Sequence, residues 1–155
     1  MVVGVGVVSL CTYKRIFQQM SVAAGKEIRV KPEIGRRILI AEDDPNILRQ
    51  IEYNLQAHGY VVETAVTGAD ALVRLMKNRP DLLITDIMMP EMDGYELVAS
   101  VRADAELADL PVIMLTARTQ NEDVTHGYNS GTDLYLTKPF NPTELLSFVQ
   151  RILGA

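Results

Sequence analysis

The chain has 155 residues, of which 48% are hydrophobic and 23% charged, and its formal net charge is -5. This length suffices for one domain with a single core, and the composition is that of a globular protein rather than a disordered one. The single cysteine, Cys11, excludes an internal disulfide and favours a reducing, cytoplasmic location. No apolar stretch approaches the roughly 18 residues needed to span a bilayer, so we expect no transmembrane segment.

Charge divides the chain into two unequal parts. Residues 1–37 hold seven Lys and Arg residues and two Glu, a net charge of +5, whereas residues 38–155 hold eight Lys and Arg and eighteen acids, a net charge of -10. An acidic body repels a phosphate backbone, so we expect no direct DNA binding by the folded part. We interpret residues 1–35 as a basic N-terminal extension, disordered or loosely packed, and residues 36–155 as the domain. The alternatives are a basic arm for a membrane surface or an acidic partner, and a later start at Met20.

From Arg37 onward, short apolar runs alternate with segments of helical periodicity. Local capping signals support the helices: the first has Asp44 as N-cap and Pro45 in its first turn, and the last begins Asn141-Pro142. The predicted strands are 37–42, 60–65, 81–86, 111–116 and 132–137. The predicted helices are 45–57, 68–78, 94–104, 120–129 and 142–153.

Five strand–helix units indicate an α/β fold with a doubly wound, five-stranded parallel sheet and five helices. Of the two plausible strand orders, the flavodoxin-like order 2-1-3-4-5 suits five strands best. In that order the first and third strands are neighbours at the switch point. Glu42 and Asp43, which follow the first strand, would then lie beside Asp86 at the end of the third.

Several acids at one sheet edge repel one another by about 4 kcal/mol per close pair at an effective dielectric near 20, so a cation is needed there. The fourth strand ends in Thr116 and the fifth is followed by Lys138, which adds a hydroxyl and an ammonium group. These groups suit phosphoryl transfer to a carboxylate. Asp86 would be the nucleophile, Thr116 a hydrogen-bond donor, and Lys138 and a divalent cation would neutralise the phosphoryl oxygens.

At these residues the chain closely resembles the receiver domain of two-component response regulators, from about Arg37 to Leu153. The matching motifs, in chain order, are Glu42-Asp43, the stretch Asp86 to Gly94, Thr116-Ala117 and Lys138-Pro139-Phe140. The resemblance implies that Asp86 accepts a phosphoryl group from the phosphohistidine of a histidine kinase or phosphotransfer protein. It also implies a Mg²⁺ cofactor, held by Glu42, Asp43, Asp86 and the backbone carbonyl of Met88.

The resemblance further implies a switch. Thr116 is drawn toward the phosphoryl group, and the ring of Tyr135 turns inward. The fourth helix, fifth strand and fifth helix would then present an altered face to a downstream protein target, with a homodimer on activation as one possibility. The family also implies a cis peptide bond between Lys138 and Pro139.

Two positions are expected to set the lifetime of the phosphorylated state. In the family's geometry, Met88 and Arg118 flank the phosphoryl group, and neither side chain is suited to orient an attacking water. We therefore expect slow self-dephosphorylation, over minutes or longer. We also expect Met88, Met89, Met92 and Met114 to be packing residues rather than part of a cofactor site.

Because the chain ends at Ala155, directly after the last predicted helix, we expect a stand-alone receiver that binds other proteins or relays phosphate. It would not be an enzyme beyond assisting its own phosphorylation and dephosphorylation. One alternative is a phosphatase with an aspartate nucleophile, although its usual general acid would fall at Met88. A second alternative is a flavin or nucleotide module, but this needs a Gly-rich or Ser/Thr-rich loop where the chain has Glu42 to Pro45. A third is a degenerate receiver used as a scaffold.

Overall fold

The computed structural model describes residues 35–117 and 131–154. Within these ranges the predicted strands and helices are confirmed to within about two residues at each end. The helix predicted over 120–129 and nearly all of the predicted extension 1–35 lie outside the described residues. In chain order the elements are β1 (Arg37–Ala41), α1 (Pro45–Ala57), β2 (Val61–Ala65), α2 (Gly68–Lys77), β3 (Leu82–Asp86), α3 (Gly94–Ala103), β4 (Val112–Ala117), β5 (Leu134–Lys138) and α4 (Pro142–Leu153).

The five strands form one parallel sheet in the order β2-β1-β3-β4-β5, which confirms the predicted fold class and strand order. The register pairs Ile38 with Leu82 between β1 and β3, and Asp86 with Leu115 between β3 and β4. Because every strand runs in the same direction, all carboxyl ends lie at one edge of the sheet.

Helices cover both faces of the sheet, as its apolar central strands require. All five residues of β3 are buried. Successive strand residues point to opposite faces, so Leu39 packs into one core cluster with α2 and α3, whereas Ile38 and Ile40 pack into the other with α1 and α4. Burial of each such side chain contributes about 1.5–3 kcal/mol, which holds the strand ends in fixed register.

Local signals fix where the helices begin. Asp44 caps α1, because its Oδ1 accepts hydrogen bonds from the backbone N–H groups of Asn46 at 2.8 Å and Ile47 at 3.3 Å. Asn141 caps α4 in the same manner, with Pro142 in the first turn. Both predicted caps are confirmed.

The connection from β3 to α3 is tied closely to the end of β3. Asp93 and Glu96 form a reciprocal capping box at the start of α3. The next residue after Asp93 has to be glycine, since a Cβ at Gly94 would lie 2.3 Å from the backbone oxygen of Asp86. The Gly94 N–H also donates to the carbonyl of Ile87 at 2.8 Å. These contacts fix the backbone on the C-terminal side of Asp86.

The Lys138–Pro139 peptide bond is cis, as the family resemblance implied. None of the helices within residues 35–117 and 131–154 has the length and apolar character needed to cross a bilayer.

Candidate functional site

Asp86 lies at the carboxyl end of β3 with 8% of its surface exposed. Its Oδ1 accepts a hydrogen bond from the backbone N–H of Ile87 at 2.8 Å. Its Oδ2 lies 3.2 Å from Nζ of Lys138. One oxygen is thus held by the backbone, while the other faces the ammonium group of Lys138 at the sheet edge.

Glu42 directly follows β1 and is fully buried, at 0% exposure. Both of its carboxylate oxygens have partners: Oε1 accepts from the Asp44 N–H at 3.0 Å, and Oε2 accepts from Lys138 Nζ at 2.7 Å. Burial raises the pKa of Glu42 above its ordinary value, and the charge of Asp86 adds to this effect. The bonds from Lys138 and the Asp44 N–H oppose the rise without cancelling it.

Lys138 ends β5 and bridges the two acids. We call Glu42, Lys138 and Asp86 the ion triad. The lysine side chain is 19% exposed. Burial alone would lower the pKa of Lys138, but the hydrogen bond to Glu42 and the charges of Asp86 and Glu42 outweigh burial and raise it. The ammonium group therefore stays charged at neutral pH, between two carboxylates that would otherwise repel each other.

Carboxylate oxygens of Glu42, Asp43 and Asp86 all lie within 4.8 Å of one another. Asp43 is exposed, so the cluster has an open side. Hard oxygen donors in a partly open cluster are the ligand type that suits Mg²⁺. The residues present therefore fit the predicted ion, and three of its four predicted ligand residues supply carboxylates to one place.

Met88 is the fourth predicted metal-binding residue, through its backbone carbonyl, and it follows Asp86 by two residues. The residue is 67% exposed, so the expectation that Met88 is a packing residue is wrong. The reason is its location beyond the end of β3, past the edge of the core. Met114 in β4 is fully buried and the side chains of Met89 and Met92 pack partly against the core, as expected.

The two predicted switch residues lie on neighbouring strands. Thr116 is buried in β4, and its hydroxyl donates to the backbone carbonyl of Ala117 at 3.1 Å. Tyr135 in β5 pairs with Met114 and packs partly against the core cluster on that face of the sheet. Because Met114 and Thr116 are two residues apart in one strand, Thr116 and Tyr135 share a sheet face. Arg118, the second residue predicted to set the lifetime, lies outside the described residues.

Sequence reasoning did not identify two backbone groups of the site. The N–H of Asp44 holds Glu42, and the N–H of Ile87 holds Asp86. The sequence placed Lys138 in one pocket with Glu42 and gave it a role only toward the phosphoryl group, whereas the structure shows a direct bond to Glu42 at 2.7 Å. Every residue type except proline has a backbone N–H, so no sequence signal reveals which of them turns toward a carboxylate.

The chain is similar in sequence and fold to proteins of known structure or function. The family model for the response regulator receiver domain matches residues 38–150. The DNA-binding dual master transcriptional regulator RpaA of Synechocystis is 43% identical over 117 residues, which cover 76% of this chain and 48% of that protein. The chain thus spans about half the length of the curated relatives it matches.

Two solved structures show the same fold over nearly their full length. The chemotaxis response regulator CheY4 of Vibrio cholerae matches with a TM-score of 0.73 at 39% identity, covering 77% of this chain and 99% of that one. The receiver domain of the sensor histidine kinase PA1611 from Pseudomonas aeruginosa matches with a TM-score of 0.73 at 33% identity, covering 78% and 99%. That domain has a magnesium ion coordinated in its active site cleft.

The ion triad predicts a large loss of stability when the ammonium group of Lys138 is removed. In Lys138→Met, Glu42 remains buried without its ammonium partner, and we expect the free energy of unfolding at pH 7 to fall by about 3 kcal/mol. Urea denaturation of the metal-free protein measures this. Lys77→Met, which changes an exposed lysine at the end of α2, is the control and should have little effect.

The difference in free energy of unfolding between wild type and Lys138→Met should depend on pH. A lysine whose pKa is raised in the folded state adds stability below its ordinary value of 10.5, and this stability is lost as the pH rises through the folded pKa. The difference between wild type and Lys138→Met should therefore shrink above pH 10.5. A difference that stays constant into this range would show that Lys138 contributes packing rather than charge.

Proposed function

Since the chain belongs to the response regulator receiver domain family, we propose that it is a phosphoacceptor whose Asp86 takes a phosphoryl group from a phosphohistidine. The donor would be a histidine kinase or a phosphotransfer protein. The observation that carries the proposal is the position of Asp86 Oδ2, which lies 3.2 Å from Lys138 Nζ within an acidic cluster that fits Mg²⁺. A nucleophile beside fixed positive charge is what transfer of an anionic group to a carboxylate requires.

In the proposed reaction, a carboxylate oxygen of Asp86 attacks phosphorus in line with the phosphorus–nitrogen bond of phosphohistidine. The new phosphorus–oxygen bond forms as the old bond breaks, and the imidazole nitrogen keeps the electron pair and takes up a proton. Mg²⁺ held by Glu42, Asp43, Asp86 and the Met88 carbonyl would supply positive charge to the phosphoryl oxygens. Lys138 supplies a second positive charge from the protein itself.

The fixed partners of Asp86 orient it for this role. The Ile87 N–H holds Oδ1, and the Gly94–Ile87 hydrogen bond fixes the backbone that carries this donor. Glu42 in turn holds Lys138 at 2.7 Å, so the ammonium group is positioned before the phosphoryl group arrives. Such preorganisation avoids the cost of reorienting charges during the reaction.

Thr116 and Tyr135 would convert the chemical change into a change of surface. The Thr116 hydroxyl now donates to the Ala117 carbonyl, and it would exchange this acceptor for a phosphoryl oxygen, which is a stronger one. Tyr135 lies on the same sheet face and would move into the space that Thr116 leaves. The altered surface around β5 and the last helix would then be recognised by a protein target, a relay partner or a second copy of the chain.

Residue chemistry disfavours the phosphatase alternative. Such an enzyme needs a general acid near the nucleophile, and the position two residues after Asp86 holds a thioether, which has no proton to give. The domain would therefore assist only its own phosphorylation and the later hydrolysis of its acyl phosphate.

Phosphorylation of Asp86 can be tested with a small acyl phosphate as donor and intact-protein mass spectrometry. We expect wild type to gain one phosphoryl group when Mg²⁺ is present and none after chelation. Asp86→Asn should gain none, because an amide is not a nucleophile at this step. Asp109→Asn, at an exposed loop residue, is the matched control and should behave as wild type. Equal labelling of Asp86→Asn would contradict the proposal.

A slow loss of the phosphoryl group is the second expectation, because the thioether of Met88 cannot orient a water for attack. The half-life of the purified phosphoprotein, followed by mass spectrometry after the donor is removed, should be minutes or longer. A half-life of seconds would show that another group activates the water.

A further inference from the structure

The methionines of the described residues differ strongly in exposure. Met88 and Met76 are 67% and 62% exposed, whereas Met114 is fully buried and Met89 and Met92 pack partly against the core. Oxidants reach an exposed thioether more readily than a buried one. In this part of the chain Met88 and Met76 are therefore the methionines most open to oxidants, and they lie at different places in the fold.

Met88 lies at the candidate site. Its Cα is separated from that of Asp86 by two peptide steps, so the two atoms are at most about 7.6 Å apart. The backbone between them is fixed, because the Ile87 N–H donates to Asp86 Oδ1 at 2.8 Å and lies 3.3 Å from the Leu115 carbonyl. Met88 is thus an exposed residue at the rim of the proposed site, with its Cα within about 7.6 Å of the Cα of Asp86.

Met76 is exposed to a similar degree but lies far from the site. It is the second-last residue of α2, the helix that returns the chain from the carboxyl end of β2 to the amino end of β3. The acidic cluster lies at the opposite, carboxyl edge of the same sheet. Met76 therefore serves as a matched control for any effect that depends on exposure alone.

We infer that Met88 is an oxidation site through which peroxide shortens the lifetime of the phosphorylated state. The inference rests on the proposed function of Asp86. In the reaction, the thioether sulfur attacks one oxygen of hydrogen peroxide, the oxygen–oxygen bond breaks, and water leaves. Sulfur is oxidised to the sulfoxide by two electrons and peroxide is reduced. Reductases specific for methionine sulfoxide reverse the change.

The chemical consequence follows from hydrogen-bonding capacity. A thioether is a weak acceptor, whereas the sulfoxide is polar and its oxygen accepts hydrogen bonds well. At the rim of the site, that oxygen can hold a water molecule that attacks the phosphoryl group. Oxidation thus gives Met88 the polar function that its thioether lacks, and hydrolysis of the acyl phosphate becomes faster.

The experiment compares wild type, Met88→Leu and Met76→Leu, since leucine keeps the volume of methionine without its sulfur. Each protein is treated with hydrogen peroxide, freed of it, and phosphorylated with an acyl phosphate and Mg²⁺. Peptide mass spectrometry locates the added oxygen, and intact mass measures the half-life. We expect oxidised wild type and oxidised Met76→Leu to lose the phosphoryl group about three- to tenfold faster than the untreated proteins. This is the rate change expected from one added hydrogen bond, between the sulfoxide oxygen and the attacking water. The phosphorylated form of oxidised Met88→Leu should have the same half-life as that of untreated Met88→Leu.

Treatment of oxidised wild type with methionine sulfoxide reductase should restore the slow rate. An unchanged half-life in wild type with Met88 oxidised would overturn the inference, as would an equal acceleration in Met88→Leu. Failure of the untreated proteins to gain any phosphoryl group would instead count against the proposed function, so the two failures are distinguishable.

Discussion

The bonds from Lys138 to Glu42 and Asp86 connect parts of the chain that are 96 and 52 residues apart in sequence, at 2.7 and 3.2 Å. A fully buried carboxylate such as Glu42 is costly unless a positive charge and hydrogen bonds compensate it. The ammonium of Lys138 and the Asp44 N–H provide this compensation. The rest of the site depends on the ion triad, because the same contacts that make the burial of Glu42 tolerable also set the position of the charge beside Asp86.

The sheet provides the geometry that the triad needs. Parallel strands β1, β3 and β5 bring their carboxyl ends to one edge, and two core clusters on opposite faces keep the register fixed. Gly94 allows the start of α3 to pack directly onto the backbone of Asp86. The acids are thereby held close together with an open side at Asp43. A rigid frame around a charged and incompletely neutralised cluster is suited to take up a cation and a phosphoryl group.

Much of this arrangement could be predicted from the sequence, because its signals are local or periodic. Apolar runs ending in charge indicated the strands and their common edge, and the caps Asp44 and Asn141 marked two helix starts. Long-range contacts were harder to anticipate. Strand β5 begins at Leu134 rather than near 132, and just before it the Asp133 carboxylate accepts long-range hydrogen bonds from the Val112 N–H at 2.8 Å and from Arg102 at 3.0 Å. The exposure of Met88 and the bond between Glu42 and Lys138 likewise depend on tertiary structure.

Whether the acidic cluster holds Mg²⁺ is measured most directly by the free energy of unfolding. This is determined with and without Mg²⁺ at constant ionic strength, for wild type and Asp43→Asn. Asp43 is exposed, so its substitution removes a carboxylate from the cluster without disturbing the core. If the cluster holds the ion, Mg²⁺ at a hundred times its dissociation constant should stabilise wild type by about 2.7 kcal/mol and Asp43→Asn by much less. Equal stabilisation of both proteins, or none of either, would contradict the account.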